Sequence, residues 1–183
     1  MYRITALLAV LAIGLAGCDG TDEGQELVIH YDGPNQSAPS LGDGAQQAAV
    51  RFTPAQIGGV AGGTLEAVNV YIRNVPNAAE LRIYRESRPT EPGTLVYRQP
   101  VGDLQPDSWN LIQLDQTVGL LDEDLWVGFA YTIDASLAVV GCDPGPAVRD
   151  GDWTFNAENG WAPFNQISPE SINWNIRAVV RTP

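Results

Sequence analysis

Along EAVNVYIRN the side chains alternate in character, with Val68, Val70 and Ile72 on one face and Asn69, Tyr71 and Arg73 on the other. That period of two is the mark of a strand with one buried face. AELRIYRES repeats it, setting Leu81 and Ile83 against Arg82, Tyr84 and Glu86. TLVYRQPV follows Pro92-Gly93 and SWNLIQLD follows Pro106-Asp107, so both are entered through turn-favouring residues. These segments read as consecutive antiparallel strands. DLWVGFAYTID differs, because Leu125, Val127, Phe129, Tyr131 and Ile133 are apolar on one side and Trp126 and Ala130 on the other. It is expected to be a central strand covered on both faces. NWNIRAVVR turns Trp174, Ile176, Ala178 and Val180 inward and Asn175, Arg177 and Arg181 outward, and is expected to close the domain.

One segment breaks the pattern. In FTPAQIGGVAGG, Thr53 suits an N-cap and Pro54 a first helical position. A short connecting helix is expected near 53–59, stopped by Gly58 and Gly59, with Ile57 packed on one end of the fold. About eight short strands separated by Gly, Pro, Asn and Asp clusters predict an all-β chain. The leading architecture is an antiparallel β-sandwich of jelly-roll topology.

The N-terminus reads differently again. Residues 1–17, MYRITALLAVLAIGLAG, place one arginine before an apolar run and small residues, the order of a secretory signal. The run is too short for a comfortable membrane span. It ends in Leu15-Ala16-Gly17-Cys18, which resembles a bacterial lipobox. On that resemblance Cys18 is the lipid attachment site and the membrane is a partner through its acyl chains. Each buried methylene contributes about 0.8 kcal/mol, so two or three chains hold firmly. The other reading is an ordinary secretory signal with an incidental cysteine. Residues 18–25 form an acidic, glycine-containing tether, and residues 26–183 a single domain. The expected location is the bacterial cell envelope, lipid-anchored at the outer membrane or cell surface.

Charge narrows the partners. The chain has 22 acids against 10 basic residues, all of them arginine. Without Arg3 the formal charge falls from −12 to −13. Such a surface repels phosphate backbones, which excludes nucleic acid as an expected partner. With Cys18 lipidated, Cys142 has no partner in its own chain and is expected to be a buried thiol. One histidine, His30, and one unpaired cysteine exclude the usual zinc sites. Calcium remains the one possible cofactor, since its oxygen ligands are plentiful.

The succession IHYDGPN, AAVRFTPAQI, PGTLVYRQPV, WNLIQLD, DLWVGFAYT, GCDPGPAV with GDW, and NWNIRA resembles an adhesin-type β-sandwich module of secreted multidomain proteins of Bacteroidetes. The likeness covers residues 26–181. It implies a non-catalytic, jelly-roll-like accessory domain, here alone behind a lipobox, which favours a surface-exposed binding lipoprotein.

Two segments are rich in oxygen ligands. GCDPGPAVRDGDW, residues 141–153, offers Asp143, Asp150 and Asp152 to a cation, and Trp153, with Trp161 nearby, as a face for a sugar ring. The favoured reading of the same stretch is a connection stiffened by Pro144 and Pro146, with Cys142 filling an apolar pocket. HYDGPN offers Asp32 and Asn35, residues that also build turns. Asp122, Glu123 and Asp124 read as a solvated turn ahead of a buried strand. Catalysis has thin support, because His30 is followed by Ser37 and Ser40 but no G-x-S-x-G nucleophile motif is present. The expected function is a non-catalytic binding or adhesion module for a glycan or protein. The alternatives are an envelope hydrolase acting on glycans through paired carboxylates about 5–9.5 Å apart, and a purely structural spacer. Exposed aromatics beside a groove favour binding, and two convergent, desolvated carboxylates in a cleft favour hydrolysis.

Overall fold

The computed structural model describes residues 24–183. The chain runs β1 (Glu26–Ile29), β2 (Gly44–Phe52), α1 (Pro54–Ile57), β3 (Thr64–Ile72), β4 (Ala78–Arg85), β5 (Thr94–Val101) and β6 (Ser108–Gly119). It continues through β7 (Leu125–Ile133), β8 (Trp153–Asn156), β9 (Gly160–Pro163), α2 (Phe164–Ile167) and β10 (Ile176–Arg181). The strands form an antiparallel β-sandwich. One sheet has four strands in the order β1-β10-β3-β6, and the other six in the order β5-β4-β7-β2-β8-β9.

The alternation in sequence sets which side faces inward. Val68, Val70 and Ile72 of β3, Leu81 and Ile83 of β4, and Ile176, Ala178 and Val180 of β10 are all fully buried between the sheets. β7 lies between β4 and β2, the central position expected for it. Its inward Leu125, Val127, Phe129, Tyr131 and Ile133 and its outward Trp126 and Ala130 are all buried.

β2 has no counterpart in the pattern, because GAQQAAVRF offers little contrast between its faces. The structure buries both. The connecting helix forms as expected, with the Thr53 N–H donating to Gln56 Oε1 at 2.8 Å and Ile57 buried. The α-helix ends at Ile57 with Gly58 as its C-cap, and the chain then tightens into a 3₁₀ turn over Gly58–Val60, which buries Val60. A second single-turn helix, α2, follows β9 and buries Phe164. Among the described residues no helix is long and apolar enough to cross a membrane.

Candidate functional site

The two oxygen-rich segments do meet. Asp143 Oδ2 accepts from the Gly33 N–H at 2.8 Å, and Oδ1 from the N–H groups of Gly145 at 2.9 Å and Asn173 at 2.8 Å. Asn173 Nδ2 adds a bond at 3.1 Å. Burial alone would push the Asp143 carboxyl up, but these donors together outweigh it and hold the group below its ordinary value. Asp32 accepts from Arg177 Nη2 at 2.8 Å and Asn175 Nδ2 at 2.6 Å, and His30 Nδ1 lies 3.2 Å away. Asn35 Oδ1 is buried without a partner among the described residues, and a Cβ at Gly141 would lie 2.4 Å from it.

This arrangement does not assemble a ready calcium site. A calcium ion needs six to eight oxygens with free lone pairs. Here the Asp32 and Asp143 oxygens face N–H donors, Asn35 Oδ1 lies close to Gly141, and Asp152 holds the Asn165 N–H. Among the described residues no group of three or more His, Cys, Asp or Glu side chains is placed to hold a metal ion. The segments form a hydrogen-bonded tie between the chain before β2 and the chain before β10. Cys142 lies buried inside it, its Sγ 3.2 Å from Ser37 Oγ, and burial raises its thiol pKa.

The nucleophile candidates are likewise engaged in local structure. His30 faces Asp32, Ser37 faces Cys142, and Ser40 Oγ accepts from the Gly42 N–H. None of these bonds joins the histidine to a serine. In the acidic turn, Asp124 accepts from Arg51 Nη2 at 2.7 Å and from Ser87, and Glu123 lies 3.4 Å from Arg85.

The outward face of the six-stranded sheet is different. Directly paired residues of neighbouring strands share a face. The register therefore aligns Glu80 of β4, Ala130 of β7, Gln47 of β2, Phe155 of β8 and Trp161 of β9 in one row. The next row holds Arg82, Gly128, Ala49 and Trp153. Small side chains at Ala45, Ala78, Gly128 and Ala130 leave the middle of the face low. Phe155 rises on one side, and on the other stand Glu80 and Arg82, paired at 2.5 Å. Between them lies a cavity of about 370 Å³ lined also by Gln47, Pro100 and Thr132.

Gln47 is buried in this floor. Its Oε1 accepts from Tyr84 OH at 3.1 Å, while its Nε2 has no partner among the described residues. Only a glycine at 128 permits this pose, since a Cβ there would sit 2.2 Å from Gln47 Nε2. A buried amide N–H without an acceptor is costly, typically about 1–3 kcal/mol. The floor thus holds an amide with one polar atom unpartnered.

Beside the groove the aromatic residues close over one another. Trp126 is fully buried although it points outward, because Trp153 at 4.9 Å and Trp161 at 5.7 Å pack against it and Arg51 lies 6.0 Å from its ring. Trp153 is only 5% exposed. It forms part of this cluster and presents no free face to a sugar, which corrects the expectation from sequence. Trp161 remains half-buried, with Phe155 at 5.5 Å and Tyr84 at 6.3 Å.

A second cavity, about 470 Å³, opens on the far side of Trp161, lined by Thr90, Asp150, Asp152, Trp153, Asn165 and Gln166 among others. Asp150 accepts from Trp153 Nε1 at 3.2 Å and lies 3.5 Å from Arg51 Nη1. Burial raises the Asp152 carboxyl above its ordinary value, although the Asn165 N–H donates to it at 3.1 Å. Of the residues singled out in sequence, this face gathers Trp153, Trp161, Asp150 and Asp152. Gln47, Glu80, Arg82 and Phe155 were not foreseen. The available signal was the small outward residues of β7, which leave room on a face already marked as covered.

The chain matches no protein-family model, no curated protein and no solved structure.

Proposed function

We propose that this chain is a non-catalytic envelope lipoprotein whose jelly-roll-like sandwich binds a neutral glycan in the groove on its six-stranded sheet. The observation that carries the reading is the groove itself. It has a low floor with an unpartnered, buried Gln47 amide, an aromatic wall at Phe155, and a Glu80–Arg82 pair opposite. Its volume of about 370 Å³ falls within the range of small-ligand sites. Sugars present C–H faces that pack on aromatic rings and hydroxyls that both donate and accept. A carboxylate beside a guanidinium supplies an acceptor and a donor at adjacent positions, and bonds to charged groups are the stronger ones.

The jelly-roll reading is supported by strand order. With the β8–β9 hairpin set aside, the sheets run first-eighth-third-sixth and fifth-fourth-seventh-second. That interleaving is what two nested Greek keys produce. The anchor is proposed on Leu15-Ala16-Gly17-Cys18, which lies outside the described residues.

A hydrolase reading draws on Asp150 and Asp152, both buried and both lining the second cavity. Asp150 is ion-paired and Asp152 holds the Asn165 N–H, so both side chains are already engaged in structural bonds. Binding is therefore the favoured reading.

The test is calorimetric titration with neutral di- and hexasaccharides of glucose, xylose and N-acetylglucosamine. Wild type should bind at least one, Phe155→Ala should weaken binding tenfold or more without a large change in melting temperature, and Gly128→Ala, whose Cβ must push the buried Gln47 amide aside, should weaken binding as well. Absence of binding to every probe, or binding unaffected by both substitutions, would overturn the groove as the site. Labelling cells with a clickable fatty acid should mark the wild type and not Cys18→Ala.

A further inference from the structure

Building on the groove as a glycan site, we infer that it is one end of a longer site, which continues over Trp161 into the second cavity and takes an oligosaccharide chain. Three observations carry this. The first is length. The row Glu80, Ala130, Gln47, Phe155 and Trp161 crosses five adjacent strands. At about 4.8 Å per strand step it spans roughly 19 Å. One monosaccharide covers only part of that row, and several linked rings cover all of it.

The second is continuity. The groove ends at Phe155 and the second cavity begins at Trp161, and these rings lie 5.5 Å apart. Trp161 keeps part of its surface free, while the tryptophans beneath it are buried. Its ring is fixed from below by Trp126 and from the side by Tyr84. An aromatic surface held in place loses little entropy when a ligand packs on it.

The third is the chemistry of the far cavity. Asp152, Asn165 and Gln166 line it beside Trp161. Asn165 and Gln166 are exposed and offer amide groups of both polarities, and the Asp152 carboxylate has lone pairs beyond the one that holds the Asn165 N–H. That set suits hydroxyls and repeats the mixture of ring and polar groups found in the groove.

The experiment compares matched pairs by titration calorimetry: maltose with maltohexaose, cellobiose with cellohexaose, xylobiose with xylohexaose, and chitobiose with chitohexaose. For the pair that binds, the hexasaccharide should bind wild type at least tenfold more tightly than the disaccharide. Trp161→Ala should abolish that gain. Because Trp161 also packs on Trp126, a second variant leaves the cluster alone. Thr90→Trp, on the exposed turn that borders the far cavity, should block it and remove the gain while the melting temperature stays unchanged. Equal affinity for both lengths, or a gain that survives both variants, would overturn the extended site and spare the groove. Failure of every pair to bind would overturn both.

Discussion

Asp143→Asn is the sharpest probe of the tie that joins the N-terminal turn, the 141–153 connection and the chain ahead of β10. The substitution keeps size and shape but not acceptor capacity. On one side of the carboxylate lie the N–H of Gly33 and Asn173 Nδ2, and on the other the N–H groups of Gly145 and Asn173. With its NH₂ turned toward Gly33, an asparagine leaves the Gly33 N–H without its acceptor while Asn173 Nδ2 keeps its bonds to the other oxygen and to the Pro146 carbonyl; turned the other way, it leaves the N–H groups of Gly145 and Asn173 unpaired. The cheaper orientation leaves one unsatisfied donor, and such a group costs about 1–3 kcal/mol. With a urea m-value of about 2 kcal/mol/M, the unfolding midpoint should fall by about 0.5–1.5 M.

The assay is equilibrium urea unfolding followed by tryptophan fluorescence at pH 7, in chelator and in millimolar calcium. Because its folded pKa is lowered, Asp143 stabilises the fold above its ordinary value of 3.8. That contribution is lost as pH falls through the still lower folded value. The gap between wild type and variant should therefore be constant above about pH 5 and close in strong acid. A midpoint within 0.2 M of wild type, by the same linear extrapolation, would refute the hydrogen-bond argument. A calcium-dependent midpoint that disappears in the variant would show that the carboxylate binds a cation after all.

Other expectations follow from burial. Trp153→Ala should destabilise the fold by about 3–5 kcal/mol in the same urea assay, because the ring is packed against Trp126; a loss of under 1 kcal/mol would contradict that packing. Asp152→Asn should be more stable than wild type at neutral pH, since a raised folded pKa gives stability that is present in acid and lost as pH rises through it. Melting curves at pH 3 and pH 7 check the sign, and a variant less stable at pH 7 would reverse it. Cys142 should react slowly with a thiol reagent in native buffer and quickly in urea, and fast native labelling would show an accessible thiol.

The strands that alternate cleanly were legible. β3, β4 and β10 announce their inward faces because valine, isoleucine and leucine stand opposite arginine, asparagine and glutamate. β2 was not, because Gln46 and Gln47 are buried on opposite faces of a strand that otherwise carries alanine. The β8–β9 hairpin was hidden inside an apparent loop, although Asn159-Gly160 is a turn pair and Gly160 has φ +67. Asp32 and Asp143 were each recognised as part of a separate oxygen-rich segment, but their meeting and their fate depended on Asn173, Asn175 and Arg177, far along the chain. Likewise, Trp153 and Trp161 look equivalent in sequence. Only the register decides that one lies under the other elements and the other on top.

The hairpin carrying Phe155 and Trp161 is attached at a sheet edge. β8 pairs with β2 only over Gln46–Ala49, whereas β7 pairs with β2 along all of Gly44–Phe52. Proteins open in pieces, and short edge elements open more readily than central strands. Amide exchange should therefore be faster across β8 and β9 than across β7. In such an opening Phe155 and Trp161 would swing away together, leaving Gln47 and Trp126 exposed to water. A glycan lying against both rings would hold the edge shut. Binding and local folding of this corner would then draw on a single equilibrium, in which occupancy shows as slowed exchange in strands the ligand barely touches.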